Sequence, residues 1–463
     1  VDICVIGAGY VGLVTSACLA YLGNNVVAVD ADETRLKTLK SGQVPFYEPG
    51  LAEFVKECTA KGTLEFSADL ASAVKKSEIV FIAVGTPSKP DGEPDLSQVM
   101  GAAKAIGGAL DIGRRRIIVN KSTVPVGSGN WVEMLVSQGL QAVQAVPARS
   151  ARPESPSFAV LSNPEFLREG SAISDSLYPD RIVVGASDEE ALARMQELYK
   201  PILEQNFEPP QYVPRPENFD EVPFVVTDLA SAEMIKYSAN AFLAMKISFA
   251  NEMAGLCEKV GADISQVMRG IGLDQRIGSK FLHAGIGWGG SCFGKDINAL
   301  IEVAHEYNCQ TQLLESTLAV NKRQRLTVIT KLQEELKIVK GRTVGLLGLS
   351  FKPNTDDLRD APSLSIADKL IKMGAEVKAY DPVSIDVCSK LHPDLDVKYC
   401  QSINELALNC DALILVTEWE EFLHADWREI ALMTRRPLII DGRNFLPARA
   451  LVSAGFTYRG VGR

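Results

Sequence analysis

"ICVIGAGYVGLVTSACLAYLGNNVVAVD", Ile3 to Asp30, runs from a short apolar stretch through three spaced glycines into a longer apolar segment and back to a second apolar run. The spacing predicts strand, turn, helix and strand. Ile3, Val5 and Ile6 lie in the first run, and Gly7-x-Gly9-x-x-Gly12 opens the helix, with Tyr10 and Val11 inside the turn. Glycines at these positions permit the tight turn and let a pyrophosphate approach backbone N–H groups at the helix N-terminus. Asp30 closes the second strand, where a carboxylate accepts hydrogen bonds from an adenosine ribose and repels a 2′-phosphate. The expected ligand is therefore NAD rather than NADP. A glycine-rich turn that binds nothing is the competing reading, and the strand before, helix after and acid beyond weigh against it. Arg35 follows five residues later, either over the adenine or ribose or as a solvated helix residue.

Working outward, "SEIVFIAVGTPS" (77–88) and "RRIIVNKSTVPVG" (115–127) read as further buried strands, each running into a loop that carries a threonine, Thr86 and Thr123. Ligands in open α/β sheets lie at such carboxyl ends, although a loop threonine is usually only a turn or cap residue. "VLSNPEFLREGSAISD" (160–175) places Glu165 and Glu169 four apart, on one face if helical, with Pro164 marking a boundary at or before a helix start.

From Asp228 about 30 residues read as helix, with Ile235, Ala239, Phe242, Phe249, Met253, Leu256 and Val260 on one apolar face. A helix that long suits a strut between domains and a dimer surface. Lys236 and Asn240 lie one turn apart on another face, and periodicity alone reads them, with Glu233, as a solvated polar set. Then "RTVGLLGLSFKPNTDDLRDAPSLSIADKLIKMGAEVKAYDP" (342–382) repeats strand, loop, helix and strand, ending at Asp381. Gly345 and Gly348 survive from the fingerprint, but Phe351 stands where a close helix start favours a small residue. "CDALILVTEWEEF" and "PLIIDGRNFL" add strands, and Lys352, Arg359 and Arg443 are local cations that suit a phosphate or are merely solvated. The fold class expected is α/β: two Rossmann-like domains joined by a long central helix. The boundaries are an NAD-binding domain over 1–226, a helical dimerisation region over 227–326 and a second nucleotide-binding domain over 327–463. Two Pro-rich stretches, 146–158 and 201–224, read as surface loops.

Bulk properties narrow the function classes. The 463 residues carry a net charge of −10, which argues against a nucleic-acid binder. No apolar run approaches the roughly 18 residues that would cross a bilayer. The chain opens on a strand without a charged leader, and its nine cysteines include no CxxC pair, so a cytoplasmic protein without a disulfide framework is expected. Its four histidines lack metal-ligand spacing, so no metal is expected and acid-base chemistry falls to Lys, Asp, Glu or water. One cysteine stands apart. "GWGGSCFGKD" (287–296) sets Cys292 between glycines and a Lys-Asp pair, just before the helix read in "KDINALIEVAHEY". A thiol at a helix N-terminus is biased toward thiolate.

Taken together, "GAGYVGL", "KSTVPVG", "SNPEFLREG", Lys236-x-x-x-Asn240, "QRIGSKFL", "GWGGSCFGKD", "SFKPNTDDLRD", "YDP", "VTEWEEF" and "DGRN" resemble the UDP-glucose 6-dehydrogenases, within the UDP-glucose/GDP-mannose dehydrogenase group, over essentially the whole chain. The Phe-Gly after Cys292 is similar to the UDP-glucose branch. The resemblance implies a four-electron oxidation of a sugar C6 alcohol with two NAD molecules, through a thiohemiacetal and a thioester on Cys292, yielding UDP-glucuronate for polysaccharide synthesis. It assigns Lys236 to the oxyanion or proton transfer, Asn240 and Asp296 to its orientation, the latter with Thr123, and Glu165 to the hydrolytic water. Substrate contacts implied are Glu165, Phe166, Leu167, Arg168, Glu169, Lys236, Asn240, Arg276, Phe281, Leu282, His283, Gly285, Gly289, Phe351, Lys352 and Arg443. Cofactor contacts implied are the turn from Gly7 to Gly12, Asp30, Arg35, Thr86, Thr123, Glu169, Lys295 and Arg359. Arg276 is expected to reach the substrate of a neighbouring subunit in a homodimer. A short-chain UDP-sugar epimerase would need Tyr-x-x-x-Lys, which none of the eleven tyrosines provides. A dehydrogenase of GDP-mannose or UDP-N-acetylmannosamine is the alternative within the group, and a catalytically dead binder is a third class.

Overall fold

The computed structural model describes residues 1–87, 89, 94–111, 114–144 and 158–463, in two compact units, Val1–Ser238 and Ala239–Arg463. Most of the first Pro-rich stretch, 146–157, lies outside the described residues.

The first unit holds one sheet of strands β1 (Asp2–Ile6), β2 (Asn25–Val29), β3 (Leu64–Ser67), β4 (Ile79–Ile82), β5 (Arg116–Asn120), β6 (Phe158–Ser162), β7 (Ile182–Gly185) and β8 (Phe224–Thr227). Their order is β3-β2-β1-β4-β5-β6-β7-β8, parallel except at the single β6–β7 pairing, Ser162 with Gly185. Both faces of the sheet are covered, so β1 can be apolar on both faces from Ile3 to Ile6, after an exposed Asp2 at its start. Ile3 and Val5 enter one core with Leu13 and Phe54, while Cys4 and Ile6 enter another with Val80 and Val99.

The second unit repeats this plan with β9 (Thr343–Leu347), β10 (Glu376–Tyr380), β11 (Val397–Tyr399), β12 (Ala412–Leu415), β13 (Leu438–Asp441) and β14 (Thr457–Arg459), ordered β11-β10-β9-β12-β13-β14 and wholly parallel. In each sheet the order reverses beside the first strand of the unit, between β1 and β4 and between β9 and β12. That reversal opens a crevice at the carboxyl ends, where such sheets take ligands. A glycine in the left-handed region marks both crevices. Gly7 has φ +101°, and a Cβ there would come 2.5 Å from the Ala83 carbonyl oxygen; Gly348 has φ +95°, and a Cβ would come 2.3 Å from Cβ of Thr417. No other residue lets the loops after neighbouring strands approach so closely.

The helix Leu229–Val260 begins in the first unit and continues into the second, and its 32 residues span about 48 Å. Asp228 accepts the Ser231 N–H at 2.8 Å at its start. Its buried stripe in the second unit is built of small residues, Ala241, Ala244, Ala250, Ala254 and Cys257. The larger side chains Phe242, Phe249, Leu256 and Val260 are about half exposed or more, between 48% and 67%.

Three sequence expectations need correction. Residues 163–170 are not helical, so Glu165 and Glu169 do not share a helix face; Pro164 removes an N–H and the next helix starts only at Ala172. Pro201–Leu203 end the helix Glu189–Leu203 rather than belonging to a surface loop. Finally, Phe351 is not at a helix start. The helix of the second repeat begins at Pro362, and Phe351 sits in the intervening loop, against Gly290.

Candidate functional site

In the first unit the glycine turn is braced by a carboxylate. Asp30 Oδ2 accepts the Ala8 N–H at 2.7 Å and the Arg35 guanidinium at 2.9 Å, while Oδ1 accepts the Asp32 N–H at 2.9 Å. Burial alone would raise the pKa of Asp30, but these N–H donors and Arg35 hold it below its usual value. Arg35 is thus anchored to Asp30 rather than simply solvated, with its side chain 36% exposed. The two oxygens offer about four acceptor positions, of which three are used, so capacity remains for a ribose hydroxyl. The helix Tyr10–Tyr21 starts at Gly9 with no side-chain cap and no acidic residue in its first turn, and a Cβ on Gly9 would meet nothing within 4 Å. Open space before uncapped N–H groups is what a pyrophosphate requires. Tyr10 turns inward: its hydroxyl donates to Glu48, and burial followed by the Glu48 charge drives its pKa up. Glu48 also accepts the N–H groups of Gly170 and Ala172, at 2.6 and 2.7 Å, tying the 163–170 loop to the cofactor turn.

The loops after β4 and β5 are joined directly, because the Thr86 hydroxyl donates to the Thr123 carbonyl at 2.9 Å. The two threonines picked from loop position alone are therefore neighbours. Downstream of Thr123, the N–H groups of Gly127 and Gly129 donate to the Glu233 carboxylate at 2.6 and 2.9 Å. Burial pushes Glu233 up to about 7 against these bonds.

Lys236 and Glu165 form a buried ion pair at 2.9 Å, their side chains 5% and 7% exposed. Glu165 Oε2 also accepts the Leu167 N–H at 2.6 Å. Although burial opposes its charge, the Lys236 charge and hydrogen bond and the Leu167 N–H keep Glu165 below its usual pKa. Phe166 lies under two cations, the Arg181 guanidinium 3.8 Å and the Lys236 ammonium 5.5 Å from its ring centre. Glu233, Lys236 and Asn240 are all under 10% exposed, which corrects the reading of a solvated polar set. Periodicity failed here because every polar residue on this face has a partner off the helix. Arg168 is held outward by Asp175 at 2.6 Å, and Glu169 is partly buried, its charge acting on Tyr10.

In the second unit Cys292 is the residue immediately before the helix Phe293–Glu306, and its thiol is exposed. Asp296, one turn on, accepts the Asn240 amide at 2.6 Å and the Lys295 ammonium at 2.9 Å. The preceding loop is fixed from beneath: Asn321 accepts the Trp288 N–H at 2.8 Å and donates to its carbonyl at 2.9 Å. Gly285 donates its N–H to Asn251, and a Cβ on Gly289 would come 2.4 Å from the Asp360 carbonyl. Phe281 takes φ +65°, Leu282 is buried and His283 is exposed.

Arg443 sits at the crevice of the second sheet and donates to the carbonyls of Val416, Gly287 and Phe351, at 2.7, 2.7 and 3.3 Å. The structure thus makes it a clasp of three loops. Lys352 lies 5.4 Å from the Phe351 ring centre, Arg359 pairs with Asp357 at 2.7 Å, and Arg276 pairs with Asp274 at 2.6 Å with its side chain 89% exposed. Asp381 repeats the role of Asp30, accepting the Leu349 and Ser350 N–H groups at 2.7 and 3.1 Å, so the carboxylate brace survives where the glycine pattern is broken. Among the described residues no cluster of three or more His, Cys, Asp or Glu could hold a metal, and no helix is long and apolar enough to cross a membrane.

A doubly wound sheet with an open glycine turn, an acid closing its second strand and a second sheet of the same order define an NAD-dependent dehydrogenase with two Rossmann-like domains. The chain belongs to the UDP-glucose/GDP-mannose dehydrogenase family. The profile of that family's NAD binding domain matches residues 1–203, of its central domain 230–323 and of its UDP binding domain 345–448. The chain is 44% identical, over its full length and 93% of the relative, to the UDP-glucose 6-dehydrogenase TuaD of Bacillus subtilis. It is 43% identical, over its full length and 99% of the relative, to the UDP-glucose 6-dehydrogenase of Rhizobium meliloti. Among solved structures, a UDP-glucose dehydrogenase from the hyperthermophilic archaeon Pyrobaculum islandicum superposes with a TM-score of 0.86 at 36% identity, covering 99% of this chain and 97% of that one.

Sequence reasoning missed Glu48, Lys121, Asn163 and Arg181. Lys121 and Asn163 sit inside quoted motifs, "KSTVPVG" and "SNPEFLREG". No spacing rule announces a contact between side chains from different strands.

Proposed function

We propose that this chain oxidises UDP-glucose to UDP-glucuronate, consuming two NAD and one water. The observation that carries the reading is an exposed thiol, Cys292, at the start of a helix in a chain 44% identical to a UDP-glucose 6-dehydrogenase. NAD supplies the hydride acceptor for both oxidations, held by the Gly7 to Gly12 turn and Asp30. In the first oxidation the C6 alcohol loses a hydride and its hydroxyl proton and becomes an aldehyde. The Cys292 thiolate then adds to that carbon, forming the C–S bond of a thiohemiacetal. Loss of a second hydride and the hydroxyl proton gives the thioester. Water adds, the C–S bond breaks, the thiolate leaves and a carboxylate remains. Sulfur suits both ends of this sequence, because it is a strong nucleophile and a good leaving group. The helix N-terminus behind Cys292 favours the thiolate.

Lys236 is a fixed cation for the developing oxyanion, and the Lys295–Asp296–Asn240 network orients the reacting end. Glu165, held ionised by Lys236, is suited to position the hydrolytic water. The functional regions are 1–226 for NAD, 227–326 for the helix and thiol loop, and 327–463 for the UDP group, close to the three profile matches. We place the protein in the cytoplasm, since all nine cysteines are free thiols. We also propose a homodimer along the exposed Phe242, Phe249 and Leu256 stripe, with Arg276 completing the partner's sugar site; the exposure of Arg276 supports this.

The test is NADH released per sugar consumed, which should be two with UDP-glucose, together with the rate, which should be higher on UDP-glucose than on GDP-mannose or UDP-N-acetylmannosamine. Cys292→Ser should stall with sugar nucleotide attached, because an ester hydrolyses far more slowly than a thioester, and intact-mass spectrometry would show the adduct. Cys292→Ala should carry none. UDP-glucuronate formed by Cys292→Ala at the wild-type rate would end the proposal.

A further inference from the structure

Lys121 is a second lysine beside the Glu165–Lys236 pair, and the chemistry proposed above does not use it. It follows β5 directly, and its ammonium donates to Asn163 Oδ1 at 3.1 Å. Asn163 is rigid: the same oxygen accepts the Tyr199 hydroxyl at 2.7 Å, its amide donates to the Val183 carbonyl at 2.8 Å, and its backbone N–H donates to the Asn120 carbonyl at 2.9 Å. Lys121, Asn163, Glu165 and Phe166 line one cavity of about 70 Å³, roomy enough for water. The groups acting on Lys121 come from several elements. Glu165 favours its charge, while Lys236 from the long helix opposes it; Cys18 from the helix Tyr10–Tyr21 also lines the cavity, as a neutral thiol whose pKa burial pushes up to about 12. Asp175 and Arg181 also line the cavity, but Asp175 is engaged by Arg168 and Arg181 lies over Phe166.

Counting charges defines the problem. One buried carboxylate faces two lysines, and Lys236 takes the direct ion pair. Lys121 has a neutral amide as its hydrogen-bond partner, so it is the lysine whose charge is least compensated. Burial accordingly brings it down to about 8.

We propose that Lys121 is a positioning residue that acts through Glu165, its ammonium keeping the Glu165–Lys236 pair ionised. A positive charge across the cavity lowers the proton affinity of Glu165, so that the carboxylate stays available to hold water at moderately acid pH. The inference rests on the proposed function, where Glu165 must be ionised for hydrolysis.

The experiment is the pH profile of kcat for UDP-glucuronate formation by the full-length enzyme, wild type against Lys121→Met, Lys121→Gln and Lys121→Arg. The acid limb of kcat reports groups of the enzyme–substrate complex. In Met and Gln variants that limb should move to higher pH by about half to one unit. The Arg variant keeps the charge and should restore the wild-type limb. Two neutral variants are used so that one that fails to fold does not decide the matter. A kcat lowered equally at all pH values, with the limb unmoved in a folded neutral variant, would mean that Lys121 only supports the strand end, and would overturn the inference. A limb that moves in the neutral variants but is not restored by arginine would overturn it too. A wild-type enzyme inactive on UDP-glucose would instead overturn the proposed function, and this inference with it.

Discussion

Replacing Lys236 with methionine would leave the Glu165 carboxylate buried with its direct counter-ion gone. The ammonium and carboxylate are 2.9 Å apart, with side chains 5% and 7% exposed, and removing one member of such a pair costs on the order of 3–5 kcal/mol. Glu165 would retain the Leu167 N–H and the charge of Lys121, so the expected cost of Lys236→Met lies near the lower bound, about 3 kcal/mol. Glu165→Gln leaves two lysines without their carboxylate, and its cost should lie nearer to about 5 kcal/mol. The double variant removes both charges and should be less destabilised than either single one. Denaturant unfolding at pH 7 across the four proteins gives the coupling free energy, expected to exceed about 5 kcal/mol in magnitude, since the two single costs are set against a double cost below either of them. The pH dependence supplies a sign. Glu165 is held below its ordinary value of 4.5 in the folded chain, so the pair's contribution is present above about pH 4.5 and is lost as pH falls through the folded value. Without Lys236 the carboxylate takes a proton more readily, so Lys236→Met should close its gap to wild type as pH falls from 7 toward 4. Single variants that each cost under about 1 kcal/mol and add in the double would refute a buried, mutually dependent pair.

Asp30→Ala removes the brace on the Ala8 N–H and the carboxylate we propose as the ribose acceptor; kcat/KM for NAD should fall at least about tenfold, the loss of one good hydrogen bond to a charged group, and the preference over NADP should narrow. Equal wild-type efficiency with the two cofactors would contradict the role given to this carboxylate. Phe249→Glu places a charge in the exposed stripe of the long helix, and sedimentation should show a smaller species than wild type; unchanged assembly would move the interface elsewhere. Arg443→Ala frees three carbonyls from Val416, Gly287 and Phe351. KM for the sugar nucleotide should rise at least about tenfold, and Arg443→Lys, which lacks the planar fork, should not restore it. A KM within twofold of wild type in Arg443→Ala would show that the loops hold without their clasp.

Much of this protein is readable from local pattern. Apolar runs broken by Gly7-x-Gly9-x-x-Gly12 and closed by Asp30 specify strand, turn, helix and strand, because backbone sterics and burial act within a few residues. The same local rules announced the second repeat through Gly345, Gly348 and Asp381, the length of the helix after Asp228, and the seat of Cys292 just before a helix. What the sequence could not decide is which polar side chains are buried, and against what. Lys236 and Asn240 looked solvated because periodicity counts apolar residues on one element, whereas their burial depends on Glu165 and Asp296, which lie 71 and 56 residues away. The join between Thr86 and Thr123, the Glu48 tether and the three-loop clasp of Arg443 arise in the same way, each from its own unit's fold bringing together loops distant in sequence. Lys121 is the sharpest case. Its residue type is that of an ordinary surface lysine, and only the tertiary structure sets it on the same cavity wall as Glu165, a carboxylate already paired with Lys236, so that desolvation and neighbouring charge determine whether it keeps its proton.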